Sequence, residues 1–199
     1  MGRKSTAKAR KPLTAKAKVW VRELVPLLQD KPLNKLTLDE LAELMGKSKS
    51  TIYSYFSTKE EIYQTAVQLI LDDLAMVVSE EILLGEDMEK VYRSILLKIS
   101  EGIEGISISY LEQIQKYFPE VWSVIEAFTE KLLAILEVVY TQGMQSGKFK
   151  TFNISLLTAL DNHFVMSIMT DTAQFSDQGM SLNDVVTEYL ELRLSALKP

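Results

Sequence analysis

The stretch GKSKSTIYSYF, residues 46–56, has an unusual set of polar side chains for a chain with a net charge of −5: two lysines, four Ser or Thr hydroxyls and two tyrosines. A lysine can donate to O6 and N7 of guanine, and Ser and Thr can pair with either kind of base. Tyrosine hydroxyls can donate to the oxygens of a phosphate backbone. These residue types in one short stretch favour contact with nucleic acid.

Signals for two short helices flank the turn at Gly46. Thr37 and Glu40 have the spacing of a capping box, which predicts the start of a helix that ends near Gly46. Ser48 can cap the next helix, over about residues 49–55. Two short helices joined by a glycine turn predict a helix-turn-helix, whose second helix lies in the major groove of DNA.

The second helix divides its side chains between the core and the groove. Ile52 and Phe56 have the spacing of an inward face. The candidates for contact with base edges are therefore the polar residues near the helix start, Lys49, Ser50, Thr51 and Ser54. Tyr53 and Tyr55 are candidates for backbone phosphates, as is Lys59 at the start of the next helix, where the helix N-terminus also attracts anions.

Charge is distributed unevenly along the chain. Residues 1–63 hold 13 Lys and Arg against 7 Asp and Glu, a net charge of +6, whereas residues 64–199 hold 9 against 20, a net charge of −11. A basic unit of this kind suits a polyanion, and an acidic remainder is repelled by one. We therefore expect double-stranded DNA to bind the N-terminal part alone.

Helical periodicity extends over almost the whole chain, and no run alternates over the length of a strand, so the sequence predicts an all-α protein. We expect a basic flexible tail over residues 1–13, a three-helix domain with the helix-turn-helix over 14–63, and a larger helical domain over 64–199. The longer helices are predicted over about 14–30, 59–84, 87–101, 106–117, 119–146, 153–174 and 181–197. Pro26 lies inside the first of them and predicts a kink or an early break there.

The composition excludes several other classes of protein. The chain has no Cys, which rules out disulfides, thiolate metal sites and Cys nucleophiles. No run of about 18 apolar residues occurs, and the basic N-terminus lacks the apolar segment of a signal peptide. We therefore expect a cytoplasmic protein with no membrane partner.

Residues 36–63, LTLDELAELMGKSKSTIYSYFSTKEEIY, resemble the DNA-binding domain of the TetR family of bacterial transcriptional repressors. The resemblance lies in the acidic start of the short helix, the Gly turn, the T-x-Y-x-Y-F pattern and the K-E-E that follows, and it covers about residues 14–63. On the family's pattern, the positions that commonly touch the DNA backbone are Thr51, Tyr53, Tyr55 and Lys59. The positions that commonly face bases are Lys49, Ser50 and Ser54.

Three residues depart from that pattern. Lys47 stands at a turn position where the family usually has an apolar residue, Pro32 where a Gly is usual, and Pro26 inside the first helix. The stem of Lys47 can lie along apolar surface while its ammonium stays in water. We therefore expect Lys47 to be an additional phosphate contact.

The C-terminal part contains aromatic residues that could surround an apolar pocket for a small molecule. The candidates for this pocket are Tyr110, Trp122, Phe128, His163 and Phe164, although aromatic residues at helical spacing fill cores first. His163 invites a catalytic or metal-binding interpretation with Asp161, but residues two apart point to different helix faces. We expect a core or pocket role for it, no catalytic residue, no metal and no cofactor.

The last two helices carry apolar stripes that need a partner surface. The candidate residues for a dimer interface are Leu157, Leu160, Phe164, Ile168, Val186, Tyr189, Leu190 and Leu194. Packing within the same chain is the alternative. The resemblance favours a dimer, because in that family the final helices form a four-helix bundle between two subunits.

Together these features predict a ligand-responsive transcriptional regulator. We expect a repressor that binds a palindromic operator as a homodimer and is released by an apolar small-molecule effector. Two other classes stay open: an all-α enzyme that uses His163 and nearby carboxylates, and a helical protein-interaction module. The enzyme has no supporting motif, since the chain contains no HExxH, phosphate loop or nucleophile elbow.

Overall fold

The computed structural model describes residues 10–84, 87–170 and 179–199, with the side chains of all but 77–84 and 169–170. Across these ranges the chain forms α-helices and no strand, which confirms the all-α prediction. The helices are α1 Ala15–Leu28, α2 Leu38–Leu44, α3 Lys49–Tyr53, α4 Lys59–Leu84, α5 Met88–Ile103, α6 Ile108–Tyr117, α7 Pro119–Gln145, α8 Ile154–Thr170 and α9 Leu182–Leu197. The predicted tail falls mostly outside the described residues, as does the end of the eighth helix.

The helix-turn-helix forms as the capping signals predict. The backbone N–H of Thr37 donates to Glu40 Oε2 at 2.7 Å, and that of Glu40 donates to Thr37 Oγ1 at 3.2 Å, a complete capping box at the start of α2. Gly46 takes a φ of 62° in the turn, a conformation that costs glycine no steric strain. Ser48 then caps α3 by accepting from the N–H of Thr51 at 3.2 Å.

The helix α1 continues through Pro26 to Leu28, so of the predicted kink or early break the break does not occur, and the kink stays a prediction. Pro26 cannot donate to the carbonyl of Arg22, four residues earlier. Its ring is exposed, and it lies two residues before the helix end, so few backbone bonds depend on it. The neighbouring Val25 and Leu28 are buried and hold the last turn against the core.

One hydrophobic core joins the helix-turn-helix to the rest of the molecule. It contains Leu24 of α1, Leu41 of α2, Ile52 of α3, Ile62 of α4 and Trp122 of α7. The helix α4 is continuous across residue 63, where the sequence places a domain boundary. The two predicted domains therefore share a helix and part of a core, and their division stays a prediction.

A second core holds α5, α7, α8 and α9 together. Its buried residues include Val91, Val139, Leu157 and Leu194. In the described part of the chain, no helix is long and apolar enough to cross a membrane.

Candidate nucleic-acid interface and effector cavity

The orientation of α3 follows from two buried residues. Ile52 and Phe56 lie in the first core, as their spacing predicts. Lys49, Ser50 and Tyr53 are exposed on the opposite side of the helix. This short helix is thus held by its apolar face and presents a polar face to solvent.

An acidic residue of α2 meets that polar face. The Lys49 ammonium lies 2.5 Å from Asp39 Oδ2, and the Tyr53 hydroxyl donates to Asp39 Oδ1 at 3.2 Å. This hydrogen bond from Lys49 is the main cause that lowers the pKa of the Asp39 carboxyl, and it raises the pKa of Lys49 in turn. The sequence analysis did not single out Asp39. An acidic residue in the first turn of a helix is already explained by the favourable interaction with the helix dipole.

The hydroxyl candidates have partners within the helix-turn-helix. Ser48 Oγ lies 3.1 Å from Ser50 Oγ and 2.8 Å from Thr51 Oγ1. Ser54 donates to the carbonyl of Thr51 at 2.7 Å and is half-buried. Ser50 is therefore the most accessible of the three candidates, and Thr51 and Ser54 lie at the edge of the face.

Lys47 and Tyr55 pack against Trp20 of α1. The Lys47 ammonium lies 4.7 Å from the centre of the Trp20 ring, and the Tyr55 ring meets Trp20 edge-on, with centroids 6.3 Å apart. A cation over an aromatic face contributes about 0.5–1 kcal/mol at such a site. The Lys47 ammonium thus lies over the indole of Trp20. The sequence analysis instead expects it to contact a phosphate.

Lys59 occupies a different environment from the one the sequence suggests. Its ammonium donates to the backbone carbonyls of Leu33 at 3.3 Å, Asn34 at 2.6 Å and Leu36 at 3.0 Å. An ammonium has three N–H donors, so these carbonyls use all of them. The predicted phosphate contact of Lys59 does not fit this geometry. The residue instead holds the loop between α1 and α2.

The start of the described chain lies beside α3. The N–H of Lys11 donates to the carbonyl of Ser54 at 3.1 Å, and the Arg10 guanidinium lies 2.5 Å from Glu61 Oε1. These contacts bring Lys11 to the end of α3 and Arg10 to the first turn of α4. The sequence gives their charge but not these positions.

A cavity of about 190 Å³ lies among α4 to α9. Its lining residues are Val67, Ile70, Leu71, Leu74, Ile99, Ile103, Ile106, Tyr110, Leu111, Ile125, Phe128, Thr129, Leu132, Leu133, Leu136, Asp161, Phe164, Val165, Ile168, Leu182, Val186, Tyr189 and Leu190. Four of these side chains are polar: Tyr110, Thr129, Asp161 and Tyr189. Among the side chains that the structure describes, no Lys, Arg or His lines the cavity.

Three of the five predicted pocket residues line this cavity, namely Tyr110, Phe128 and Phe164. Trp122 does not, because it is buried in the first core and its indole N–H donates to Glu126 at 3.0 Å. His163 is exposed, so the expected core or pocket role is wrong. It precedes Phe164 by one residue, a turn of about 100° around the helix, and Phe164 takes the inward position.

A buried carboxylate lies in the lining of the cavity. Asp161 is 3% exposed and accepts from the hydroxyls of Tyr140 and Tyr189, both at 2.7 Å, and from Arg193 Nε at 2.9 Å. Burial raises the pKa of both tyrosines, and both hydroxyls donate to this carboxylate. Sequence reasoning missed Arg193. The one available signal is an Arg within the apolar stripe LELRLSAL.

The model of bacterial regulatory proteins of the tetR family matches residues 25–66, a range that contains the whole helix-turn-helix. Over this domain the chain is similar to the TetR family. The match agrees with the resemblance of residues 36–63 and with the exposed polar face of α3.

A curated relative matches a longer part of the chain. The chain is similar to the uncharacterized HTH-type transcriptional regulator YvaF of Bacillus subtilis (strain 168), with 25% identity over 123 residues. These residues are 60% of this chain and 64% of that relative.

Solved TetR-like structures share the whole fold. The regulator PfmR from Thermus thermophilus is 22% identical, with a TM-score of 0.66 over 90% of this chain and 99% of that one. FadR from Bacillus subtilis, solved with stearoyl-CoA, is 19% identical, with a TM-score of 0.67 over 89% and 97%. The ketosteroid regulator KstR2 of Mycobacterium tuberculosis is 16% identical, with a TM-score of 0.66 over 96% and 98%. At these identities the likeness shows a common fold of an N-terminal helix-turn-helix domain and a larger helical domain.

The helix-turn-helix domain is tied to the cavity region through α6. Gln113 accepts from the N–H of Leu33 at 2.8 Å and donates to the carbonyl of Lys31 at 3.0 Å. The N–H of Ser107, at the start of α6, donates to Gln29 Oε1 at 2.6 Å. The same helix contributes Tyr110 to the cavity lining, so one helix contacts both regions.

The residues predicted for a TetR-type dimer interface lie in three environments. Leu157, Ile168, Leu190 and Leu194 are buried within the chain itself. Phe164, Val186 and Tyr189, like Ile168 and Leu190, line the cavity. Leu160 remains, 48% exposed, and Leu156 one turn earlier is 59% exposed. On α9, Leu192 is 70% exposed. Of these three exposed leucines, Leu160 is a predicted interface residue, whereas Leu156 and Leu192 are only neighbours of predicted ones.

Proposed function

We propose that this protein is a homodimeric, ligand-responsive transcriptional repressor that binds a palindromic operator and is released by an apolar small molecule. The observation that carries the proposal is the exposed polar face of α3 within the TetR-family match. We assign DNA binding to the helices before residue 64, and effector binding and dimerisation to the helical part after it. Cytoplasmic location is part of the same proposal.

Roles on the DNA follow from exposure. Lys49 and Ser50 contact base edges, with Ser54 at the margin. Tyr53 contacts the phosphate backbone together with Thr51, and both can exchange their present partners for phosphate oxygens. Three further candidates, Lys47, Tyr55 and Lys59, serve chiefly to hold the domain together, since each packs or bonds within it.

Dimerisation uses the exposed leucines of α8 and α9. Leu156 and Leu160 are four residues apart and share one helix face. Leu192 adds an exposed apolar side chain on α9. A two-fold symmetric pair of helix-turn-helix units suits two operator half-sites in opposite orientation.

Release from DNA requires that the effector and the operator prefer different arrangements of the chain, since a ligand with equal affinity for both shifts nothing. The contacts of α6 supply a physical link. Tyr110 meets the cavity, while Gln113 and Ser107 hold the segment that follows α1. A ligand that displaces α6 therefore changes the support of the helix-turn-helix.

The test is to sequence the genomic DNA fragments that the purified full chain retains. We expect the fragments to share an inverted repeat and the affinity for it to fall about 10³-fold between about 50 and 200 mM salt, if about six phosphates are contacted. Fragments without a shared sequence, or an affinity that does not change with salt, would instead favour the interaction module.

A further inference from the structure

The positive charge of the N-terminal part is concentrated in its first eleven residues. Residues 1–11 contain five Lys and Arg and no Asp or Glu, a net charge of +5. Residues 12–63 contain eight Lys and Arg and seven Asp and Glu, a net charge of +1. The helices that we assign to DNA are therefore close to neutral, and most of the attraction to a polyanion comes from the residues before them.

Half of the eight cations in residues 12–63 already have partners within the chain. Two pair with carboxylates, one lies over an aromatic ring, and one donates to three carbonyls. These are Arg22 with Asp73 at 2.9 Å, Lys49 with Asp39 at 2.5 Å, Lys47 over Trp20 at 4.7 Å, and Lys59 with the carbonyls of Leu33, Asn34 and Leu36. A cation that exchanges such a partner for a phosphate gains only the difference between the two interactions. The folded domain alone is therefore a weak match for a phosphate backbone.

The segment before the helices begins beside the helix that we assign to the major groove. The Lys11 N–H donates to the carbonyl of Ser54, at the end of α3, at 3.1 Å. Arg10 pairs with Glu61, in the first turn of α4, at 2.5 Å. With α3 in the major groove, the phosphates that border the groove lie next to this point. A chain of nine residues spans at most about 30 Å, and the groove is about 12 Å wide, so these phosphates are within reach of residues 1–9.

We infer that residues 1–9, which we call the basic arm, bind the phosphate backbone beside α3 and supply much of the salt-dependent affinity for DNA. This inference rests on the proposed function, because it assigns a further part of the same DNA contact. Arg3, Lys4 and Lys8 bind the phosphates, while Arg10 and Lys11 hold the start of the arm against the domain. Phosphate contacts carry no sequence information directly, so the arm strengthens binding to the operator and to random DNA alike.

The test is a salt titration of DNA binding by the unmodified full chain and by the triple variant Arg3→Gln, Lys4→Gln and Lys8→Gln. The slope of log affinity against log salt should fall by about 2–3 for each bound subunit, because each neutralised phosphate contributes about 0.9. Affinity at about 100 mM salt should fall at least about tenfold, on the operator and on a random duplex alike. An unchanged slope would overturn the inference, and a loss confined to the operator would overturn the assignment to phosphates.

A matched triple variant controls for net charge. Lys90→Gln, Lys131→Gln and Lys150→Gln remove the same charge from exposed positions after residue 63 and should leave the slope unchanged. Equal losses in the two triple variants would show that the arm acts only through net charge. A chain without residues 2–9 should lose the same slope as the arm variant, and a truncated chain that keeps the full slope would also overturn the inference. Melting curves confirm that each variant is folded.

The unmodified chain separates this inference from the proposed function. If it binds duplex DNA with strong salt dependence and the arm variant binds equally well, the arm contact is wrong and the regulator remains. If the unmodified chain binds no duplex DNA at any salt concentration, the proposed function itself fails.

Discussion

On the exposed face of α3, the Lys49 ammonium and the Tyr53 hydroxyl both meet one carboxylate, that of Asp39. An exposed ion pair of this kind contributes little to folding stability. Its larger effect concerns DNA. The carboxylate orients two side chains that we assign to the operator, and it also repels any phosphate that approaches them.

Replacing Asp39 by Asn should therefore raise affinity for random DNA about three- to tenfold at low salt, because one repulsive charge is removed and Lys49 becomes free to pair with phosphate. The salt slope should steepen by about one. The control is Glu43→Gln, which neutralises an exposed acid on the same helix. If titrations of random duplexes show equal gains for both variants, Asp39 acts only through net charge.

Lys49 itself should act on specificity. Lys49→Ala should weaken binding to the operator by about 1–3 kcal/mol and weaken binding to random DNA less, because a contact to a base edge is lost only on the specific site. Tyr53→Phe is the comparison and should weaken both by a similar factor. A Lys49→Ala variant that loses the same factor on both duplexes would place Lys49 on the backbone.

For single residues, the sequence predicts which side chains are exposed better than it predicts their hydrogen-bond partners. The positions of Ile52 and Phe56 fix which side of α3 faces solvent, so the exposure of Lys49 and Ser50 follows from helical periodicity. The hydrogen-bond partners of Lys59 do not follow from helical periodicity. They are carbonyls 23 to 26 residues earlier in the chain, in a loop whose position depends on tertiary packing.

Among the elements, the loop between α1 and α2 depends on contacts from outside itself. Lys59 bonds three of its carbonyls, the Tyr63 hydroxyl donates to the carbonyl of Leu33 at 3.1 Å, and Gln113 bonds it from α6. These side chains add to the loop's own backbone hydrogen bonds, which the N–H groups of Lys31, Lys35 and Leu36 donate, and help to fix its shape. They also fix where α2 and α3 stand relative to α4 and α6.

Lys59→Met should therefore lower stability by about 2 kcal/mol and leave the salt slope of DNA binding unchanged, because the ammonium bonds carbonyls and not phosphates. Lys35→Met changes an exposed lysine of the same loop and should leave the melting temperature unchanged. The measurements are a melting curve and a salt titration for each variant. A salt slope reduced by about one with unchanged melting would restore the phosphate contact first expected for Lys59.

Element boundaries were largely predictable because they are marked by local chemistry. Thr37 and Ser48 each cap the helix that the sequence places after them, and Ser181, where the sequence starts the last helix, is the N-cap of α9. The packing between helices was not predictable from such local signals. Tyr110, Phe128 and Phe164 reach the cavity, but the Asp161–Arg193 pair joins positions 32 residues apart, and sequence spacing alone does not show that they meet.

For the whole molecule, the apolar stripes of α8 and α9 serve two purposes that a sequence cannot separate. Leu190 and Leu194 fill the chain's own core, so charged residues there would unfold the subunit and reveal nothing about assembly. The exposed leucines next to them are the informative positions. They lie at the surface without any role in the core, and burying them requires a second chain.

The double variant Leu160→Glu with Leu192→Glu should produce a folded monomer. Light scattering should give a mass near 22.6 kDa for the variant and about twice that for the unmodified protein. Operator affinity should fall sharply, because each half-site is then bound separately and the two recognition helices lose their fixed spacing. Leu97→Glu places the same charge at an exposed leucine of α5 and should remain dimeric. An unmodified protein that is monomeric at micromolar concentration, or a double variant that stays dimeric with full operator affinity, would show that these leucines do not form the interface.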